Sequence, residues 1–164
     1  MIADQARLDD LLSRTRRFVR EVAIPNEDRV EREDRVGDDL VAAMRDLGTF
    51  GWSIPKAYGG SELTTEELAL AFMELTQCSV AFRVVGAQNA GIGSEGIIQD
   101  GTPEQKQRYL PRLANGTLLG CLALTEEAAD DVGLVPVELF EVFLPELEGG
   151  DLVAVEVDAV AEGL

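Results

Sequence analysis

Up to Gly116, apolar side chains return every three or four residues between explicit helix start and stop signals. From Asp4 to about Val22, Leu8, Leu11, Leu12, Phe18, Val19 and Val22 share one face, and Arg14, Arg16, Arg17 and Arg20 fill much of the rest. Pro25 should end or kink this helix, and the alternating charges from Glu27 to Arg35 suit an exposed helical continuation. Asp38 is placed to cap a short helix through Leu40, Val41, Met44 and Leu47, stopped by Gly48. Thr64 and Glu67 form a capping box. Beyond it, Leu68, Phe72 and Leu75 lie on one face and Leu70 and Met73 on another, which predicts a central, mostly buried helix. Thr102-Pro103-Glu104-Gln105 starts the last helix and Asn115-Gly116 stops it, with Pro111 expected to break it in two. The irregular stretch 49–60 carries Phe50, Trp52 and Ile54, the anchors expected to pin a loop to the core. Leu118 to Leu124 is the first strong strand candidate. The fold class is therefore mainly α.

The chain has 164 residues, of which 46% are apolar and 27% charged, enough for one well-cored domain and too apolar for general disorder. Charge is divided unevenly. Residues 1–125 hold 19 acids and 14 bases, whereas residues 126–164 hold 12 acids and no base. The net charge of -17 argues against a nucleic-acid partner. No run of 18 apolar residues and no signal pattern appear, so the expectation is a cytoplasmic protein without a membrane span. The absence of histidine excludes a Ser-His-Asp triad and any imidazole metal ligand. Ser79 and Ser94 thus lack an activating base, and no metal site or catalytic residue is nominated. Cys78 and Cys121 fit the role of small core residues. Gly91-Ile92-Gly93-Ser94-Glu95-Gly96 matches the dinucleotide pattern G-x-G-x-x-G, but no strand-helix-strand unit surrounds it. Its small residues are better explained by close helix packing against a neighbour or ligand.

Several ordered blocks carry a more specific signal. Leu47-Gly48-Thr49-Phe50-Gly51-Trp52-Ser53-Ile54-Pro55, Tyr58-Gly59-Gly60, Leu63-Thr64, Gly101-Thr102-Pro103-Glu104-Gln105-Lys106, Tyr109-Leu110-Pro111 and Ala123-Leu124-Thr125-Glu126 together resemble the N-terminal part of flavin-dependent acyl-CoA dehydrogenases. The resemblance covers residues 4–126. It implies a helical N-terminal domain over 1–121, and a segment 122–164 that begins the family's middle β-domain and continues as a short β-rich or irregular acidic tail. It also implies that Leu122, Ala123, Leu124 and Thr125 present a polar strand end to the ring of flavin adenine dinucleotide (FAD). Hydrogen bonds there would stabilise the electron-rich reduced ring. By the same resemblance, the helix carrying Gln88 to Ser94 forms a wall of the acyl tunnel, with Gln88, Asn89, Ile92 and Ser94 as the substrate-binding candidates. The implied reaction is α,β-dehydrogenation of an acyl-CoA thioester, with electron transfer flavoprotein as acceptor.

Two departures stand out. Where the family continues Thr-Glu-Pro-x-x-Gly-Ser-Asp, this chain reads Thr125-Glu126-Glu127-Ala128-Ala129-Asp130-Asp131. The family's C-terminal domain, which carries its catalytic base, has no counterpart in the sequence. The expectation is a truncated or frame-shifted relative, inactive alone, in which Val153, Val155 and Val157 alternate as one strand and residues 135–144 are strand or helix. Helices made to pack on absent domains would expose apolar faces, which predicts a homo-oligomer unless the tail covers them. The alternative function is a cofactor-free helical interaction module.

Overall fold

The structure, a computed structural model, describes residues 2–123, 140–145 and 152–157. Among the described residues, seven α-helices precede three strands: α1 (Gln5–Phe18), α2 (Glu27–Glu33), α3 (Asp38–Leu47), α4 (Thr65–Leu75), α5 (Val80–Asn89), α6 (Ile92–Asp100) and α7 (Pro103–Ala114), then β1 (Cys121–Ala123), β2 (Phe140–Pro145) and β3 (Leu152–Val157). The mainly helical architecture matches the sequence reading. Among the described residues, no helix is long and apolar enough to cross a membrane.

The first helices are wound as one path with a change of pitch. Asp4 caps α1 by accepting from the Arg7 amide at 3.0 Å. The α-helix ends before Pro25, but a π turn over Val19–Ala23 and a 3-10 turn over Ile24–Asn26 carry the winding into α2. In the wide turn Ile24 N donates to Val19 O, five residues back, so the helix is re-pitched just before the residue that lacks an N–H. The cap of α3 lies one residue earlier than expected, at Gly37, with Asp38 as the first helical residue. Gly48 ends that helix in the left-handed conformation, φ 85°.

Both capping boxes form, at Thr64 with Glu67 and at Thr102 with Gln105. The expected break at Pro111 does not occur: α7 runs unbroken from Pro103 to Ala114 with the proline inside it. The packing of Tyr109, Leu110 and Leu113, all buried, holds the turn together across the one hydrogen bond that proline cannot donate. Helix α4 is also less enclosed than its sequence suggests. Ala71 and Leu75 are fully buried, but Met73 on the second apolar face is 63% exposed.

Two apolar clusters make up the core. Phe18, Met44, Phe50, Trp52, Leu75 and Phe82 anchor the first, with Trp52 edge-on to Phe72 at 5.3 Å and Phe18 edge-on to Phe82 at 6.1 Å. Ile54, Ile97, Leu110, Leu113 and Leu118 form the second, between α6 and α7. The stretch 49–60 stitches them together. Phe50 and Trp52 enter the first cluster, Ile54 enters the second, and all three are fully buried as the sequence predicts. The chain then folds back, Leu63 N donating to Trp52 O at 2.8 Å and Glu62 N to Ile54 O at 2.9 Å.

The strands form one antiparallel sheet in the order β1-β2-β3, with Leu122 opposite Val142 and Val142 opposite Val155. Of the segment 135–144, residues 140–144 are thus strand and 135–139 lie outside the described residues, and the alternating valines lie in β3 as expected. Helix α6 contacts all three strands, so it joins the helical body to the sheet.

Candidate functional site

The single helix expected over Gln88 to Ser94 is two: α5 ends at Asn89 and α6 begins at Ile92, with Gly91 between them at the non-helical φ -148° and ψ -106°, so the residues proposed for the acyl-tunnel wall straddle a tight helix-helix junction. The structure treats the four candidates differently. Gln88 is half-buried, Asn89 and Ser94 are fully buried, and Ile92 is 62% exposed.

Asn89 is engaged at both ends of its amide. Its Nδ2 donates to Leu113 O at 2.9 Å and to Leu118 O at 2.6 Å, and its Oδ1 accepts from Gly120 N at 2.8 Å. A fully buried amide with two donors and one acceptor all satisfied is held rigidly. Ser94 is the opposite case. Its Oγ is buried without a hydrogen-bond partner, a state that costs roughly 1–3 kcal/mol and calls for an explanation. The indole Nε1 of Trp52 and Oγ of Ser53 share that condition.

Backbone meets backbone where α6 crosses the approach to β1. A Cβ on Gly93 would stand 2.8 Å from Gly120 Cα and 2.8 Å from Gln88 O, and a Cβ on Gly120 would stand 2.6 Å from Gly93 O. Neither position has room for a side chain. The close-packing explanation of the glycine motif therefore holds at Gly93, while Gly96 has open space around its Cα. Gly120 itself carries no signal in the sequence, because a glycine before a strand is ordinary and its partner lies in another element.

Leu122 and Ala123 lie in β1; Leu124 and Thr125 lie outside the described residues. Among the described residues, strand β1 pairs only with β2 and lies at the edge of their sheet. In an antiparallel ladder alternate residues turn their N–H and C=O away from the partner, and at an edge those groups remain available. The candidate cofactor and substrate residues are far apart in sequence, yet the contact of Gly93 with Gly120 brings their elements together.

Other features do not join this site. A depression of about 440 Å³ lies between α2 and the start of α5, lined by Glu27, Val30, Glu31, Asp34, Arg35 and Ser79. The Cys78 thiol beside it donates to Leu75 O at 3.1 Å, and burial with nearby Glu27 pushes its pKa up to about 11, which suits an inert residue. Among the described residues, no group of three or more potential acidic or cysteine ligands could hold a metal ion.

Comparison with known proteins agrees with the resemblance read from the sequence. The family model for the acyl-CoA dehydrogenase N-terminal domain matches residues 6–117. An acyl-CoA dehydrogenase of Bacillus subtilis is 33% identical over 119 residues, which are 72% of this chain and 31% of that protein. A probable acyl-CoA dehydrogenase of Mycobacterium bovis is 32% identical over 155 residues, 90% of this chain and 23% of the relative, so that match runs on past Thr125. Butyryl-CoA dehydrogenase from Megasphaera elsdenii has the same fold, with a TM-score of 0.68 and 24% identity over 79% of this chain and 34% of its own. The chain spans about a third or less of the length of these relatives. On this evidence of sequence and fold, the chain belongs to the acyl-CoA dehydrogenase family and carries its N-terminal helical domain.

Proposed function

We propose that this chain supplies the helical side of an FAD-dependent acyl-CoA dehydrogenase site, with the α5–α6 junction walling the acyl chain and the end of β1 facing the flavin. The observation that carries this reading is the convergence of the two candidate sets, α6 lying against the approach to β1 at Gly93 and Gly120. Leu122, Ala123, Leu124 and Thr125 are assigned to the cofactor, and Gln88, Ile92 and Ser94 to the substrate side, with Asn89 behind them, its amide already engaged by backbone groups. When bound, the flavin supplies a hydride acceptor for the β-carbon while the α-proton leaves to a carboxylate, forming the carbon-carbon double bond. No residue of this chain is assigned that base, so it is not expected to turn over substrate alone. Ser94 Oγ would gain a partner on ligand binding. Electron transfer flavoprotein is the proposed acceptor, and the free Cys78 thiol suits a reducing cytoplasm.

Titration of FAD into the purified chain, followed by flavin fluorescence and the visible absorption band, tests the reading. Saturable quenching and a red-shifted band that responds to an acyl-CoA analogue are expected. A well-folded helical protein that leaves both signals unchanged overturns it. That outcome favours the second reading, a cofactor-free interaction module, for which the exposed Met73, Val80, Val84 and Ile92 would provide the contact surface.

A further inference from the structure

We infer that Asn89, together with the Gly93–Gly120 crossing, is a positioning device that fixes where β1 leaves the helical body. The inference deepens the proposed function, because β1 is the strand whose end is assigned to the flavin.

The chemistry of the amide carries the inference. Leu118 C=O and Gly120 N–H flank Leu119 and face the same way, as alternate groups of an extended segment do. Asn89 meets one with its Nδ2 and the other with its Oδ1, so a single side chain stands in for a neighbouring strand. The second Nδ2 hydrogen goes to Leu113 O, in the last turn of α7, which also accepts from Gly116 N at 3.1 Å. One residue at the end of α5 therefore fixes both the exit from α7 and the entry to β1. From the other side α6 closes on the same segment at Gly93, where backbone meets the Gly120 backbone with no side chain between them that could shift to accommodate a displaced strand. Leu118 is 1% exposed and anchors the segment in the second core cluster.

A generic core residue at position 89 would stabilise all helices alike, whereas a positioning residue acts on residues 118–123 selectively. Asn89→Asp keeps the size and the acceptor but at neutral pH offers no donor to two carbonyl oxygens. In the full-length chain, amide hydrogen exchange should then accelerate at least tenfold at residues 118–123 while the amides of α1 and α4 keep their protection. Apparent FAD affinity, read by flavin fluorescence, should weaken by a similar factor. Gly93→Ala, which crowds the same segment while leaving the Asn89 amide in place, should produce the same selective loss and serves if the first variant does not fold. Unchanged exchange at 118–123, or an equal loss of protection in every helix, overturns the inference. If the unsubstituted chain takes up no FAD, the flavin reading fails instead, and the exchange pattern alone decides the role of Asn89.

Discussion

Glu67 does more than its sequence signature indicates. Its Oε2 accepts from Thr64 N at 2.9 Å within the capping box, while its Oε1 accepts from Ala3 N at 2.8 Å and so holds the segment ahead of α1. These backbone donors, Thr64 first, keep its pKa below the ordinary value of 4.5. Because the folded-state pKa is depressed, the carboxylate's stabilisation is present above that value and is lost as pH falls through the folded pKa. Glu67→Gln should therefore cost about 1–3 kcal/mol at pH 7, with the gap to the unsubstituted protein closing in urea melts below pH 4.5. The half of Glu67's role that lies three residues away was legible, because capping boxes are local. The contact with Ala3 was not, since it spans 64 positions. Cys78 offers a second check. With its thiol pushed up to about 11 from an ordinary 9.0, a Cys121→Ala chain should alkylate at pH 8 roughly a hundredfold more slowly than an unperturbed thiol.

Helix punctuation was the most readable level, and its failure at Pro111 is instructive. Thr64, Thr102, Gly48 and Gly116 mark boundaries where the structure places them, because caps satisfy orphan groups with neighbours close in sequence. Pro111 misled because a proline penalty of about 3 kcal/mol is a local cost, and the burial of Leu110 and Leu113 that offsets it is tertiary. The end of α7 also illustrates two demands on one residue. Gly116 adopts φ 69°, and a Cβ there would lie 2.4 Å from the Phe50 ring, while its carbonyl accepts from Arg45 Nε at 2.9 Å. Gly116→Ala should lower stability by at least about 1 kcal/mol from the backbone alone, with more from displacing Phe50, measurable as a reduced urea midpoint without change in slope. Strand existence was readable from the valine alternation of β3, but pairing was not, because register depends on a partner strand that the pattern of one segment cannot specify.

For the molecule, the exposed Met73, Val80, Val84 and Ile92 on α4, α5 and α6 oppose a net charge of -17. Apolar surface favours association and charge repulsion resists it, and salt screens only the second, the Debye length shrinking to about 10 Å at 0.1 M. Sedimentation should therefore show self-association that strengthens with ionic strength, and Val84→Lys with Ile92→Lys should suppress it. A monomer insensitive to salt would show that these faces are not sticky. The family was legible because its blocks mark turns and caps of the helical body, whereas the joint at Asn89 was hidden because an asparagine's partners are backbone groups of any residue type. That joint sets a rule for chimeras. Residues up to Gly120 are tied into the helices by hydrogen bonds and by a crossing that tolerates no side chain, so a splice at the end of α7 would tear the host, while a splice just after Gly120 would hand a foreign barrel a ready-made mount.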